Sequence, residues 1–203
     1  MIVFLFDSDF LICCIGSNPF GLIYTNFMAL IYVTGPSGAG KSTVRNELTK
    51  LGFEAHDTDE DGLSAWYDNQ TLEPVEFPKG ENRPADWFKK HVFRLSSEHV
   101  KELAERARTK TIFLCGVPSN DIDFRQYYGK VICLVINKEV MKERVLTRDT
   151  NNFGKSPDEL KIMLYWHGKM LERYKSWGAT MIDATQPLEK VVQDILEATK
   201  NLA

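Results

Sequence analysis

The sequence contains little that would support a disulfide framework or a metal cluster. The chain has four cysteines in 203 residues, and they form no CxxC pair. Cys115 and Cys133 lie within apolar runs, which is typical of buried thiols in a reducing cytosol and favours a cytoplasmic location. The four histidines are scattered without metal-ligand spacing, so each is expected to have a structural role.

The chain also lacks an excess of positive charge. It carries 25 Lys and Arg against 28 Asp and Glu, a formal net charge of −3. This balance argues against non-specific binding to nucleic acid, and no nucleic-acid partner is expected. The sequence shows no internal repeat and no low-complexity tract. Its length is enough for one domain with a sizeable core, as a monomer or a homodimer.

Basic residues are missing altogether from residues 1–27, which are strongly apolar. A signal peptide begins with basic residues and continues without interruption, whereas Asp7 and Asp9 break this run early. The segment is also too interrupted for a membrane span, so no membrane partner is expected. We expect Met28 to be the natural start, with residues 1–27 as an apolar extension outside a domain of residues 28–203. The alternative is a segment that packs on the domain or on a membrane.

Strand-like and helix-like segments alternate along the rest of the chain. The strand-like segments are apolar runs: Ala29–Thr34, Phe53–His56, Thr111–Cys115, Val131–Ile136 and Thr180–Ile182. The helix-like segments follow them and include apolar residues at three- and four-residue spacings: Ser42–Leu51, Pro84–Arg108, Lys138–Arg148, Pro157–Trp177 and Pro187–Leu202. This alternation predicts an α/β fold with right-handed βαβ units and a parallel sheet covered by helices on both faces.

One segment carries a specific motif. The stretch from Gly35 to Ser42, GPSGAGKS, matches G-x-x-x-x-G-K-[ST] at every fixed position. Its glycines let backbone N–H groups turn toward one anion, and the following helix directs its positive end to the same point. Lys41 is expected to reach the β- and γ-phosphates of ATP as a catalytic residue, and the Ser42 hydroxyl to hold Mg²⁺. The predicted nucleotide-binding residues of this phosphate loop are Gly35, Pro36, Ser37, Gly38, Ala39, Gly40, Lys41, Ser42 and Thr43.

Two carboxylates follow the second strand-like segment, in the stretch FEAHDTDED. Asp57 and Asp59 are expected at the carboxyl edge of the sheet, beside the phosphate loop. The third strand-like segment ends in Cys115, where a metal-binding acidic residue would be expected. Asp57 is therefore the predicted Mg²⁺ residue, acting through water, and Asp59 the predicted catalytic residue that meets a substrate hydroxyl. The alternative is that this acidic stretch only caps a helix.

With these motifs the sequence resembles the small P-loop kinases, the group of shikimate, gluconate and adenylate kinases, and more broadly AAA-type ATP-binding proteins. The resemblance rests on the phosphate loop, DTD after the second strand, LCG after the third and an arginine-containing segment after the fourth. It implies a three-layer fold with a parallel five-stranded sheet of order 2-3-1-4-5. It also implies a lid near residues 148–157 and transfer of the γ-phosphoryl group from ATP to a small molecule.

The remaining candidate residues lie in the later parts of the chain. Arg144 and Arg148 are four residues apart and share a helix face. In adenylate kinase-like enzymes, arginines so placed meet the transferring phosphoryl group, so both are expected to bind nucleotide and Arg148 to be catalytic. The alternative for both is a solvated helix end. In the kinases that the sequence resembles, the turn after the fifth strand lies against the nucleobase, which implies that role for Ala184–Gln186; the alternative is a strand-end cap formed by Asp183. Arg83 and Gly116 are expected to contact the acceptor substrate.

Two functional classes remain open from the sequence. The first is an ATP-dependent phosphotransferase that uses a hydroxy acid, a sugar acid-like molecule or a nucleotide as its acceptor. The second is a P-loop ATPase or a nucleotide-dependent regulator that has no small-molecule acceptor. The length favours the kinase, because little chain is left for a partner-binding module.

Overall fold

A computed structural model describes residues 29–78, 86–149 and 152–200. The apolar extension expected over residues 1–27 lies outside the described residues, as do Arg83 and Pro84. Within the described ranges, no helix is both long enough and apolar enough to cross a membrane.

Strands and helices follow one another in chain order. The first half consists of β1 (Ala29–Thr34), α1 (Lys41–Lys50), β2 (Glu54–Asp57), β3 (Ser64–Asp68), β4 (Pro74–Val75), α2 (Trp87–Lys90), β5 (His91–Leu95) and α3 (Ser97–Arg106). The second half consists of β6 (Thr111–Cys115), a 3-10 helix (Asp121–Tyr127), β7 (Lys130–Val135), α4 (Lys138–Thr147), α5 (Pro157–Ser176), β8 (Thr180–Asp183) and α6 (Leu188–Thr199).

The central sheet has five strands in the order β2-β6-β1-β7-β8. Every pairing in it is parallel. When the strands of this sheet alone are numbered in chain order, the arrangement reads 2-3-1-4-5; the full numbering differs because three other strands lie between β2 and β6. The predicted fold class, an α/β fold with a five-stranded parallel sheet, is confirmed.

Strand β1 shows how the sheet divides the interior into two cores. Alternate residues of a strand point to opposite faces. Ile31 and Val33 belong to one buried cluster with residues of α1, α4 and α6. Leu30 and Tyr32 belong to a second buried cluster, which includes residues of α3 and the 3-10 helix. The continuous apolar run in β1 therefore reflects burial on both faces, as expected for a parallel strand between helices.

The long helix predicted over Pro84–Arg108 is wrong. Its described part forms the one-turn helix α2, the strand β5 and the separate helix α3. Strand β5 pairs antiparallel with β3, which also pairs with β4, so these strands form a second, three-stranded sheet. The break falls at Ser96, whose side chain accepts a hydrogen bond from the His99 N–H and caps α3. Two short helices on either side of a strand thus produced apolar spacings that resemble one long helix.

Asn120 attaches the second sheet to the loop after β6. Its side-chain amide accepts from the Leu95 N–H at 2.8 Å and donates to the Leu95 carbonyl at 3.0 Å. The neighbouring Ser119 N–H and hydroxyl both donate to the Phe93 carbonyl. Asn120 therefore takes the place of a strand residue beside the end of β5. Because the same loop begins at Gly116, this attachment positions the second sheet next to the carboxyl edge of the central sheet.

A buried polar cluster lies below that loop. The Asp121 carboxylate accepts from the Arg173 guanidinium at 2.9 and 3.0 Å and from the Tyr174 hydroxyl. The Tyr32 hydroxyl is 3.1 Å from both an Asp121 oxygen and the Gly116 carbonyl oxygen. Burial raises the pKa of Asp121, while these donors act in the opposite direction. The cluster links the loop after β6 to helix α5.

We expect Tyr32→Phe to lower the free energy of unfolding by about 1–3 kcal/mol, because the variant removes a buried hydroxyl that lies within hydrogen-bond distance of Asp121 and the Gly116 carbonyl. Tyr128→Phe is the matched control. The two rings stack with centroids 4.6 Å apart, but the Tyr128 hydroxyl has no hydrogen-bond partner in the described part of the chain. The control should leave stability nearly unchanged. Urea unfolding of both variants measures the difference, and equal losses would contradict the assigned hydrogen bonds.

Candidate nucleotide-binding site

The phosphate loop connects β1 to α1 and depends on its glycines. Gly38 and Gly40 have φ angles of 77° and 93°, which glycine adopts without strain. Gly35 passes so close to β7 that a Cβ atom there would lie 2.5 Å from the Leu134 carbonyl oxygen. No side chain caps the start of α1, so its first N–H groups remain available to an anion.

Lys41 lies over this loop. Its Nζ donates to the carbonyl oxygens of Gly35 at 3.0 Å and Pro36 at 3.1 Å. Desolvation lowers the pKa of Lys41, and the nearby carboxylates of Asp59 and Asp57 oppose that shift. The side chain is thus held at the mouth of the loop with acidic residues close to its charge.

Asp57 uses its two oxygens differently. Oδ2 accepts from the Ser42 hydroxyl at 2.8 Å. Oδ1 accepts from the backbone N–H groups of Asp59 and Glu60, at 2.9 and 3.2 Å, and so closes the turn after β2. The helix cap considered as an alternative from the sequence is wrong, because residues 58–61 form a turn and not a helix. Asp57 closes that turn and also contacts Ser42.

The oxygen atoms at this point suit Mg²⁺. Mg²⁺ is usually held by one or two protein oxygens together with phosphate oxygens and water, which fits Ser42 and Asp57. The described residues contain no group of three or more His, Cys, Asp or Glu side chains that could enclose a metal ion. Ser42 and Asp57 therefore suit a Mg²⁺ ion whose other ligands are nucleotide phosphates and water, rather than an ion coordinated by the described protein residues alone.

Asp59 follows in the same turn, and the Thr58 hydroxyl donates to its Oδ1 at 2.7 Å. The side chain is exposed because the cleft is open. Protein atoms still surround the carboxylate closely enough that partial desolvation raises its pKa, and the charge of Asp57 acts in the same direction. A carboxylate with a raised pKa is a better proton acceptor than an ordinary one.

Cys115 is the last residue of β6, and Gly116 follows it and lines the cleft. A Cβ atom on Gly116 would lie 1.9 Å from the Thr58 hydroxyl oxygen, so no larger residue fits there. Cys115 is fully buried, and burial raises the pKa of its thiol far above the usual value. A thiol rather than a thiolate stands where an acidic residue was expected, and it does not supply the missing negative charge.

The two predicted arginines have different surroundings. Arg144 donates to the carbonyl oxygens of Gly38 at 3.3 Å and Ala184 at 3.0 Å, and so joins the phosphate loop to the turn after β8. Arg148 follows the end of α4 and donates to the Phe153 carbonyl at 2.6 Å. Partial burial lowers the pKa of Arg148, but a guanidinium remains charged at physiological pH.

These groups surround one cleft of about 500 Å³. It is lined by residues 37–43 of the phosphate loop and α1, and by Asp57, Asp59, Gly116, Arg144, Arg148 and Ala184, all of which the sequence had indicated. Gly35 and Pro36 do not line it, although their carbonyls accept from Lys41. A further lining residue, Gln186, belongs to the turn Ala184–Gln186 that the sequence had indicated. Sequence reasoning missed five lining residues: Val44, Val117, Thr147, Leu188 and Val191. Most of these are ordinary core or helix-surface residue types without a motif, so only their place in the fold reveals them.

A phosphate loop between the first strand and first helix of such a sheet defines a P-loop nucleotide-binding protein. The chain belongs to the AAA domain family, whose model matches residues 31–162. No curated protein matches the chain in sequence.

Solved structures of small P-loop kinases share this fold. A gluconokinase from Sinorhizobium meliloti 1021 has a TM-score of 0.53 at 19% identity, covering 88% of this chain and 95% of its own. A shikimate kinase from Aquifex aeolicus vf5 has a TM-score of 0.51 at 22% identity, and the match covers 83% of this chain and 94% of the kinase. A shikimate kinase from Acinetobacter baumannii in complex with shikimate has a TM-score of 0.52 at 21% identity, and the match covers 84% of this chain and 92% of the kinase.

Proposed function

We propose that this protein is an ATP-dependent phosphotransferase that phosphorylates a hydroxyl group of a small acceptor, in the class of hydroxy acids, sugar acids or nucleotides. The observation that carries the proposal is the position of Asp59. It lines the cleft that contains Lys41 and Arg148, and its pKa is raised. The sugar-acid and hydroxy-acid kinases among the structures of similar fold support this acceptor class.

The phosphate loop and Lys41 would bind the nucleotide phosphates. Backbone N–H groups at the start of α1 supply donors without a cost of reorganisation, and the ammonium of Lys41 adds a point charge. Arg144 and Ala184 would border the rest of the nucleotide, because they join the loop to the turn after β8. Ser42 and Asp57 would hold Mg²⁺, which offsets phosphate charge when it is bound.

In the transfer itself, the acceptor oxygen forms a bond to the γ-phosphorus as the bond to the ADP oxygen breaks. The acceptor proton passes to the Asp59 carboxylate. Charge in this transition state spreads over the equatorial phosphoryl oxygens, which favours a planar donor fork such as that of Arg148. Arg148 would reach that position by giving up its hydrogen bond to the Phe153 carbonyl and donating to the phosphoryl oxygens instead.

We further propose that the domain covers residues 28–203, that residues 148–157 form its lid, and that Arg83 and Gly116 contact the acceptor.

Phosphate transfer from ATP to a panel of acceptors tests the proposal. The purified chain is mixed with Mg²⁺ and ATP, and ADP formation is measured with sugar acids, hydroxy acids and nucleoside monophosphates in turn. We expect one class to raise ADP formation and to yield an equal amount of phosphorylated product by mass spectrometry. Lys41→Ala prepared in the same way reports any contaminating kinase.

Acceptor-independent ADP formation across a broad panel would instead favour the alternative of an ATPase or nucleotide-dependent regulator. Nucleotide binding without any turnover would favour a regulator alone. Either result would overturn the proposed phosphotransferase activity.

A further inference from the structure

An aromatic contact joins the second sheet to the segment between α4 and α5. Phe88, on α2, packs against Phe153 with ring centroids 5.1 Å apart and planes inclined by 65°. Both side chains are half-buried. Phe153 also packs against the core cluster below α4 and α5. The mechanism proposed above uses neither ring, so the contact needs a separate explanation.

On one side, the contact continues into the second sheet. Phe88 packs on Trp66, with centroids 5.7 Å apart. Trp66 in turn lies 5.2 Å from Phe93 and 6.3 Å from Trp87. A shift of Phe88 therefore changes the surroundings of Trp66 directly and those of Trp87 through Trp66.

On the other side, the contact reaches the nucleotide cleft. The Phe153 carbonyl oxygen accepts from Arg148 at 2.6 Å. The next residue is constrained as well, because the Gly154 N–H donates to the buried Glu159 carboxylate at 2.8 Å. A Cβ atom on Gly154 would lie 2.3 Å from the Met163 sulfur, so this backbone fits tightly on α5. Residue 153 is therefore constrained from two directions, by Arg148 at its carbonyl and by the attachment of Gly154 to α5.

A bound nucleotide would compete for this arginine. A guanidinium forms stronger hydrogen bonds with phosphate oxygens than with a neutral carbonyl. Arg148 lines the cleft, so its transfer from the Phe153 carbonyl to a phosphate removes one of the constraints on residue 153. The ring of Phe153 transmits that change to Phe88.

We propose that Phe153 is a positioning residue, and that the chain Arg148–Phe153–Phe88–Trp66 couples the nucleotide cleft to the second sheet. A nucleotide in the cleft changes the packing of the sheet, and a ligand held at the sheet changes the placement of Arg148. Linkage requires the effect to be reciprocal. This inference rests on the proposed function, because it takes Arg148 to meet a nucleotide phosphate.

Tryptophan fluorescence tests the coupling without any need for a known acceptor. In a Trp166→Phe/Trp177→Phe background, Trp66 and Trp87 are the remaining tryptophans. Titration with ATP and Mg²⁺ should change their emission. Phe153→Leu and Phe88→Leu should each abolish that change. ATP affinity by calorimetry should shift by at most about tenfold, the upper range for one aromatic pair.

Two further variants separate coupling from general disturbance. Phe93→Leu also removes a ring from Trp66, so it should alter the resting emission but keep the response to ATP. Phe153→Tyr keeps the ring and should restore the response. A full response in Phe153→Leu would overturn the coupling, and so would ATP binding to the parent without an emission change. Absence of nucleotide binding in calorimetry would instead overturn the proposed function, and this inference with it.

Discussion

Lys41→Ala is expected to reduce phosphoryl transfer by at least about a hundredfold, the usual loss when one hydrogen-bond donor is removed from a developing anionic centre. Lys41 is the cation held directly over the phosphate loop, through the carbonyls of Gly35 and Pro36. Alanine removes two hydrogen bonds to loop carbonyls, each worth about 1 kcal/mol, so the thermal midpoint should fall by several degrees at most. ADP formation at saturating ATP and Mg²⁺ measures the effect.

Lys142→Ala is the matched control for that variant. Lys142 lies exposed on α4 and does not line the cleft, so its removal should leave turnover at the parent level. If Lys41→Ala retained turnover near that of the parent, the phosphate loop would not be catalytic. If the variant unfolded at a much lower temperature, the lysine would have a structural role larger than its two hydrogen bonds to the loop account for.

Asp57→Asn and Asp59→Asn are expected to fail in different ways. Asn keeps the size of Asp and one acceptor oxygen, so the turn after β2 should survive in both variants. Asp57→Asn removes the charge beside Ser42, and we expect a higher Mg²⁺ requirement together with a lower kcat. Asp59→Asn removes the proton acceptor, and we expect kcat to fall by about 10²–10⁴-fold with ATP affinity nearly unchanged.

Asp68→Asn serves as the control for a carboxylate that only caps a turn. Asp68 accepts from the N–H groups of Gln70 and Thr71 and does not line the cleft. Its variant should change thermal stability alone. The measurements are kcat and KM for ATP, Mg²⁺ and acceptor, together with the thermal midpoint. If Asp57→Asn and Asp59→Asn behaved like Asp68→Asn, the acidic pair would be a cap and the site assignment would be wrong.

Two parts of the candidate site, the phosphate loop and the acidic pair, were predictable because each lies within one short stretch of sequence. The phosphate loop is one uninterrupted stretch of sequence. Its glycines permit the loop conformation, its lysine is suited to phosphate and its serine to Mg²⁺. The acidic pair was found from its place at the end of a strand, since the carboxyl ends of parallel strands meet at one edge. What the pattern did not show is how Asp57 divides its two oxygens between Ser42 and the turn.

The second sheet was not predictable by the same means. Its strands β3 and β5 are joined by antiparallel pairing, for example of Trp66 with Phe93, and that register depends on contacts between distant residues. The apolar spacing near Trp87 and Leu103 fits a helix equally well over a short window. Only the pairing with β3 and the cap at Ser96 decide that the chain changes from helix to strand and back.

The sequence by itself determined the phosphate loop and the parallel character of the central sheet, because these are encoded by residue type and local spacing. The strand order was implied by the resemblance to small P-loop kinases. The tertiary structure alone decided where Arg144 and Arg148 point, which residue packs against Phe153, and that Asp121 is buried among Tyr32, Tyr174 and Arg173. The physical reason is that side-chain partners depend on distances between elements. Those distances are set by the packing of the whole core rather than by any single segment.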